Sequence, residues 1–145
     1  MNDRDCPFCK MVRHELNPVV VQEDNDILVI MDLYPATPGH MLVLPKQHIE
    51  TIYAMPADLG VRIITTAIAV AKSIKQKLSP DGLNLIQSNE VAAGQTVPHF
   101  HLHIVPRYRG DSVLLHFGHG KISEKIAGLE RIASLVKSEL RLGEI

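Results

Sequence analysis

Apolar positions along this chain change their spacing several times, and each change marks an element boundary. After Pro7 a short helical stretch runs roughly to His14, and Asn17-Pro18 stops it. Val19-Val20-Val21 reads as a strand and Glu23-Asp24-Asn25-Asp26 as a turn. Ile27-Leu28-Val29-Ile30 then returns as the second strand of a hairpin. Tyr34 to Gly39, with Pro35 and Pro38, is a loop, and Met41 to Leu44 is a third strand closed by Pro45. There the period lengthens. Pro56-Ala57-Asp58 opens a helix whose Leu59, Ile63, Ala67, Val70, Ile74 and Leu78 recur at helical spacing, and Ser79-Pro80-Asp81-Gly82 ends it. Leu83 to Ile86 is a fourth strand, Asn89 to Pro98 a polar loop, and His99 to Val105 a fifth strand. Ile126, Leu129, Ala133, Val136 and Leu140 lay an apolar stripe along a C-terminal helix.

That order predicts an α+β fold: a mainly antiparallel five-stranded sheet, one long central helix and a C-terminal helix. So few strands leave open edges, which favours a homodimer. A length of 145 residues fits a single domain, 1–145, with its core at about 6–111 and a helical C-terminal segment at about 122–142. Apolar residues make up 46% of the chain, enough for an interior without staples. Net charge is −1 with the basic residues scattered, so nucleic acid is not expected as the main partner. Arg62 and Lys72 interrupt the longest apolar runs, and the opening residues carry no apolar signal region. The expectation is a cytoplasmic protein without a membrane span.

The candidate chemistry lies in His99-Phe100-His101-Leu102-His103-Ile104-Val105. Strand side chains alternate, so three imidazoles share one face while Phe100, Leu102 and Ile104 face the core. A solvent-facing strand does not need three histidines in strict alternation. A three-histidine metal site is the rival reading, since neutral imidazole is a common ligand. Catalysis is favoured because packed imidazoles lower one another's pKa, keeping one ring neutral as a nucleophile toward phosphorus. A neighbouring imidazole can then protonate the leaving group. Gly94-Gln95-Thr96 just upstream offers close backbone approach, an amide and a hydroxyl to phosphate oxygens.

His-φ-His-φ-His-φ-φ is the signature of the histidine-triad superfamily, and the chain resembles that family well beyond it. The similarity includes Asp32-Leu33-Tyr34-Pro35, Pro38-Gly39-His40, Val43-Leu44-Pro45-Lys46, His48-Ile49 and Ala93-Gly94-Gln95-Thr96-Val97-Pro98, covering most of the span from Cys6 to about Asp111. Among its branches the chain looks most like short bacterial members near the nucleotide-binding phosphoramidases. The resemblance implies a dimeric α+β fold that binds a purine nucleoside monophosphate moiety without a magnesium cluster. It implies hydrolysis of nucleoside phosphoramidate or other nucleoside monophosphate–X bonds through a nucleotidyl-histidine. A dinucleoside polyphosphate hydrolase and a nucleotide-binding module with little activity are the alternatives. His101 matches the nucleophile, His99 and His103 its flanking members, and His40 an additional histidine. Asp32 matches the ribose-binding acid, and Asn89, Gly94, Gln95 and Thr96 the phosphate loop. Ile30 stands where some relatives place an aromatic near the base, so base preference does not carry over.

Cys6-Pro7-Phe8-Cys9 offers two thiolates at metal-ligand or redox spacing. Together with Thr96-Val97-Pro98 it is similar to glutaredoxins. That motif needs a buried strand before it, and only five residues precede Cys6. Some histidine-triad relatives, and the galactose-1-phosphate uridylyltransferases, complete a zinc site with a histidine after the third strand and the first triad histidine. Those positions here are His48 and His99, so the resemblance implies structural zinc on Cys6, Cys9, His48 and His99. His116 and His119 read as loop residues, His14 as a surface residue near a helix end, and Arg107 and Arg109 as a solvated strand terminus.

Overall fold

The computed structural model describes residues 3–115 and 126–139. The chain divides into two compact units, Met1–Val113 and Leu114–Ile145. In the second, α3 spans Ile126–Glu139, and Ala133 and Val136 of the expected apolar stripe are exposed. Leu140, His116 and His119 lie outside the described residues.

The first unit begins with α1, Pro7–Val12. Cys6 caps it and Pro7 takes the first helical position, where a missing N–H costs nothing. The helix stops before the expected His14 because His14 is left-handed, with φ 59°. The His14 N–H returns to the Met11 carbonyl and the Glu15 N–H to the Lys10 carbonyl, a Schellman closure that satisfies the last carbonyls. His14 itself is exposed.

The strands are β1 (Val20–Glu23), β2 (Ile27–Met31), β3 (Met41–Pro45), β4 (Gly82–Ile86) and β5 (Leu102–Arg107). They form one five-stranded antiparallel sheet, as the sequence predicts, and its strand order is β1-β2-β3-β5-β4. In the β1–β2 turn, Asp24 Oδ1 accepts the N–H groups of Asp26 and Ile27. The long helix α2, Ala57–Leu78, packs on one face of the sheet and ends at left-handed Ser79 before Pro80. Its buried residues are Leu59, Ile63, Ala67, Val70 and Ile74, at the predicted spacing. Each such burial contributes roughly 1.5–3 kcal/mol for a Val, Leu or Ile.

Both sheet faces are covered. Ile27, Val29, Val43, Phe100, Leu102 and Ile104 join the α2 side. Leu28, Ile30, Leu42 and Leu44 join Cys6, Phe8, Cys9 and Met11 on the other. This two-sided burial explains the unbroken apolar runs of β2 and β3.

The fifth strand starts later than His99. The N–H of His99 donates to the Val97 carbonyl and that of Phe100 to the Ile49 carbonyl, so both are spent on loops. Ladder pairing begins at Leu102, opposite Val43, and extends past the expected Val105 to Arg107, opposite Gly82. The alternation of side chains nevertheless holds from Phe100 through Ile104.

Candidate active site and metal centre

On the imidazole face His99 and His101 are buried and His103 is half-buried, because α1 lies over it. The Phe8 ring stands 5.6 Å from that of His99 and 5.1 Å from that of His101, centroid to centroid. His101 and His103 meet edge to face at 4.8 Å. Beside them opens a cleft of about 280 Å³, walled by Phe8, Met11, Ile30, Leu33, Tyr34 and Val97 with polar Asp32, Thr96, His101 and His103. The apolar wall is what sequence reading missed. Phe8 and Met11 read only as part of a short helix, although their apolar character was a signal. A larger groove of about 410 Å³ between β1 and α2 contains Val21, Met41 and Lys77 but none of the histidines.

Hydrogen bonds fix which ring nitrogen carries the proton. His101 Nδ1 lies 2.7 Å from the His99 carbonyl, an obligate acceptor, so Nδ1–H donates there. The lone pair of the neutral ring is therefore on Nε2. His40 is wired the other way, its Nδ1 accepting the Ala36 N–H at 3.1 Å. Neutral His40 thus carries its proton on Nε2 and donates it to His103 Nδ1, 2.9 Å away. His103 in turn keeps its proton on Nε2. Asp32 Oδ2 stands 3.5 Å from His40 Nε2 and 3.8 Å from His103 Nδ1, while Oδ1 accepts the Tyr34 N–H.

Burial favours the neutral form throughout. It holds His40 and His101 below the ordinary histidine value. His103 is brought down to about 4, by burial first and then by the His101 and His40 rings, with Asp32 opposing.

Of the loop residues, Thr96 is exposed and lines the cleft. Gly94 is exposed with φ +85°, a conformation an L residue resists. Asn89 Oδ1 accepts the Ile52 N–H at 2.7 Å, and its amide donates to Gln87 Oε1. Gln95 is buried. Asn89, Gly94 and Gln95 are not among the residues walling the cleft.

Cys6, Cys9, His48 and His99 converge, with one donor atom from each within 4.8 Å of the others. His99 Nε2 lies 2.8 Å from the Pro45 carbonyl and so donates to it, leaving the Nδ1 lone pair toward the sulfurs. His99 Nδ1 is 3.4 Å from Cys6 Sγ and 3.5 Å from Cys9 Sγ, and His48 Nδ1 is 3.2 Å from Cys9 Sγ. Tetrahedral zinc with ordinary Zn–S and Zn–N bonds sets sulfur and nitrogen ligands about 3.5 Å apart. The donor set fits zinc. Burial, then the neighbouring Cys6, pushes the Cys9 thiol up to about 12, a penalty that a bound dication reverses. His48 Nε2 is buried without a hydrogen bond among the described residues, with the Glu50 carboxylate 3.9 Å away.

A family model described as the HIT domain matches residues 13–110. The chain belongs to the HIT family. The adenylylsulfatase HINT3 of Arabidopsis thaliana is 35% identical over 107 residues, 74% of this chain and 54% of that one. A HIT family protein from Bacillus anthracis has a crystal structure that superposes with a TM-score of 0.89 at 33% identity, covering 94% of this chain and 98% of that one. The HIT fold is also shared with a Zn-bound histidine triad family protein from Mycobacterium smegmatis, with a TM-score of 0.73 and 29% identity. That match covers 95% of this chain and 98% of the other. Among the described residues of this HIT chain, no helix is long and apolar enough to cross a membrane.

Proposed function

We propose that this protein is a nucleotide hydrolase that cleaves a nucleoside monophosphate–X bond, a phosphoramidate foremost, with His101 as nucleophile. The observation that carries the reading is the His101 Nδ1–H on the His99 carbonyl, beside a cleft that the ring itself lines. The Nε2 lone pair attacks the α-phosphorus, forming a P–N bond as the P–X bond breaks and X leaves with the electron pair. His103 donates a hydrogen bond from Nε2–H to X as charge develops there, X takes its proton from solvent water, and His40, held by the Ala36 N–H, sets the tautomer that puts the donor there. Water then cleaves the P–N bond and releases the monophosphate. The Asn89–Thr96 loop holds the phosphate through Gly94 and Thr96, and Asp32 binds the ribose hydroxyls. An adenylylsulfatase among the relatives supports an adenylyl group as the transferred part.

Zinc on Cys6, Cys9, His48 and His99 would be structural: it would pin the segment before β5 and take no part in the displacement. The open edge strand β4, on which Leu85 is exposed, and the exposed Ile64 and Ile68 of α2 support a homodimer, checked by sedimentation of the purified protein. A cytoplasmic location is part of the same reading, checked by fractionation.

The test is ³¹P NMR of purified protein with adenosine phosphoramidate and, separately, a diadenosine polyphosphate. Faster turnover of the phosphoramidate is expected. Preference for the polyphosphate would establish the rival hydrolase, and tight nucleotide binding with no product would establish a binding module.

A pH profile follows from the neutral rings. Attack needs unprotonated His101, whose pKa in the free protein lies below 6.5. An ordinary histidine would lose roughly tenfold in neutral fraction between pH 7 and pH 5.5. Here the acid limb of kcat/KM, which reports the free enzyme, is expected at lower pH than an ordinary histidine would give, because burial disfavours the protonated ring. Titration of the limb at 6.5 or above would count against a buried neutral nucleophile.

A further inference from the structure

Gln95 lies in the loop that the proposed reading gives to the phosphate, yet its side chain is turned into the protein, 8% exposed. Both ends of its amide are occupied by main chain. Oε1 accepts the Glu90 N–H at 2.6 Å, and Nε2 donates to the Glu50 carbonyl at 2.7 Å. The Gln95 N–H also donates to the Glu90 carbonyl, as does that of Ala93, each at 3.1 Å. Glu90 is therefore gripped at its N–H and at its carbonyl, and it needs to be. Its φ of 67° and ψ of 165° fall in a region that is essentially reserved for glycine.

The grip has a direction. Asn89 Oδ1 holds the Ile52 N–H and Gln95 Nε2 holds the Glu50 carbonyl, so both ends of the loop are tied to the same short segment. Glu90 sits between the two ties, at the point where the chain turns toward Gly94 and Thr96. If residue 90 relaxed to negative φ, the peptide plane after it would rotate. Everything up to the cleft-lining Thr96 would then swing with it.

We infer that Gln95 is a positioning residue and not a phosphate contact: it clamps Glu90 in a strained conformation, and that conformation aims the phosphate loop at the cleft. The inference rests on the proposed reading only for the identity of what the loop holds. The clamp itself is a property of the free protein. It also reassigns one position that family resemblance places against the substrate.

The distinguishing experiment exploits glycine, which occupies the Glu90 conformation without strain. Wild type, Gln95→Met, Glu90→Gly and the double variant are compared for kcat and KM on adenosine phosphoramidate. Gln95→Met, similar in volume but without either hydrogen bond, is expected to cost about 30-fold in kcat/KM, mostly in kcat, because the loop is misplaced. In the Glu90→Gly background the same change is expected to cost no more than about threefold, a coupling of the kind that neighbouring sites show. An equal cost in both backgrounds is what a substrate-contacting side chain would give, and it would overturn the clamp.

Should Gln95→Met fail to fold, Gln95→Leu serves: it too lacks both hydrogen bonds, so its cost should again shrink in the Glu90→Gly background, and an equal cost in both backgrounds would overturn the clamp. If none of the proteins turns over the substrate, the proposed function fails, and hydrogen exchange still reads the clamp. The Glu90 amide is expected to exchange at least about tenfold faster in Gln95→Met as its local opening becomes easier. Unchanged protection there would sink the inference, whatever the enzyme does.

Discussion

His101→Ala is expected to abolish turnover, by on the order of ten-thousandfold in kcat, while the protein stays folded. The magnitude follows from the absence of a substitute. Among the described histidines of the triad, His99 aims its lone pair at two sulfurs and His103 accepts the His40 proton on its own. Neither presents a free nitrogen to the cleft in the way His101 does. The cost to stability is smaller, because the ring is one member of a layer that also contains Leu28, Ile30, Leu42 and Leu44. Losing its contacts with Phe8 and His103 should cost about 1–3 kcal/mol. Nucleotide binding should survive, since Asp32, Thr96 and the apolar wall remain. The measurement is a ³¹P time course with adenosine phosphoramidate, run beside a thermal melt of the same samples. Wild type stopped with alkali should also hold phosphorus on one histidine, and the variant none. Equal rates for the two proteins would dispose of the mechanism.

Cys6→Ser is the second large effect. Cys6 is fully buried and Cys9 nearly so, with two imidazoles turned toward them. Purified without chelator, wild type should contain about one zinc per chain, and the variant close to none. Loss of the metal leaves a thiol, a hydroxyl and two imidazoles crowded in an apolar layer, so stability should fall by about 3 kcal/mol or more. For a unit of this size that is a drop of at least about 10 °C in Tm. The chemistry should suffer too, because the carbonyl that orients His101 belongs to His99. Elemental analysis showing wild type free of zinc, or Cys6→Ser with its zinc retained, would remove the metal centre.

Much of the fold could be read before any coordinates. Helical recurrence from Leu59 to Ile74 and alternation at Phe100, Leu102 and Ile104 both report burial on one side, and both held. Strand limits were less legible, because ladder pairing depends on partners far along the chain. Phe100 spends its N–H on Ile49, a contact that no local pattern announces. Burial of the imidazole face was hidden for the same reason. It needs Phe8, ninety or so residues upstream, to fold over it. The convergence of Cys6, Cys9, His48 and His99 was available only through resemblance, since spacing fixes the two thiols and says nothing of the histidines. The wiring of protons was beyond sequence altogether. It depends on the Ala36 N–H and the His99 carbonyl, backbone groups that every residue possesses. Gln95 shows the limit of motif transfer, because the same side chain can meet a ligand or a neighbouring peptide without any change in the letter.

The reacting ring is carried next to a strand with neighbours on both sides, β3 and β4, whereas the cleft wall is drawn from α1 and from the Leu33–Tyr34 stretch at the periphery. Evolution can therefore redesign what enters without disturbing what reacts. Exchanges at the rim should diversify the molecules accepted while the bond-breaking step is inherited unaltered.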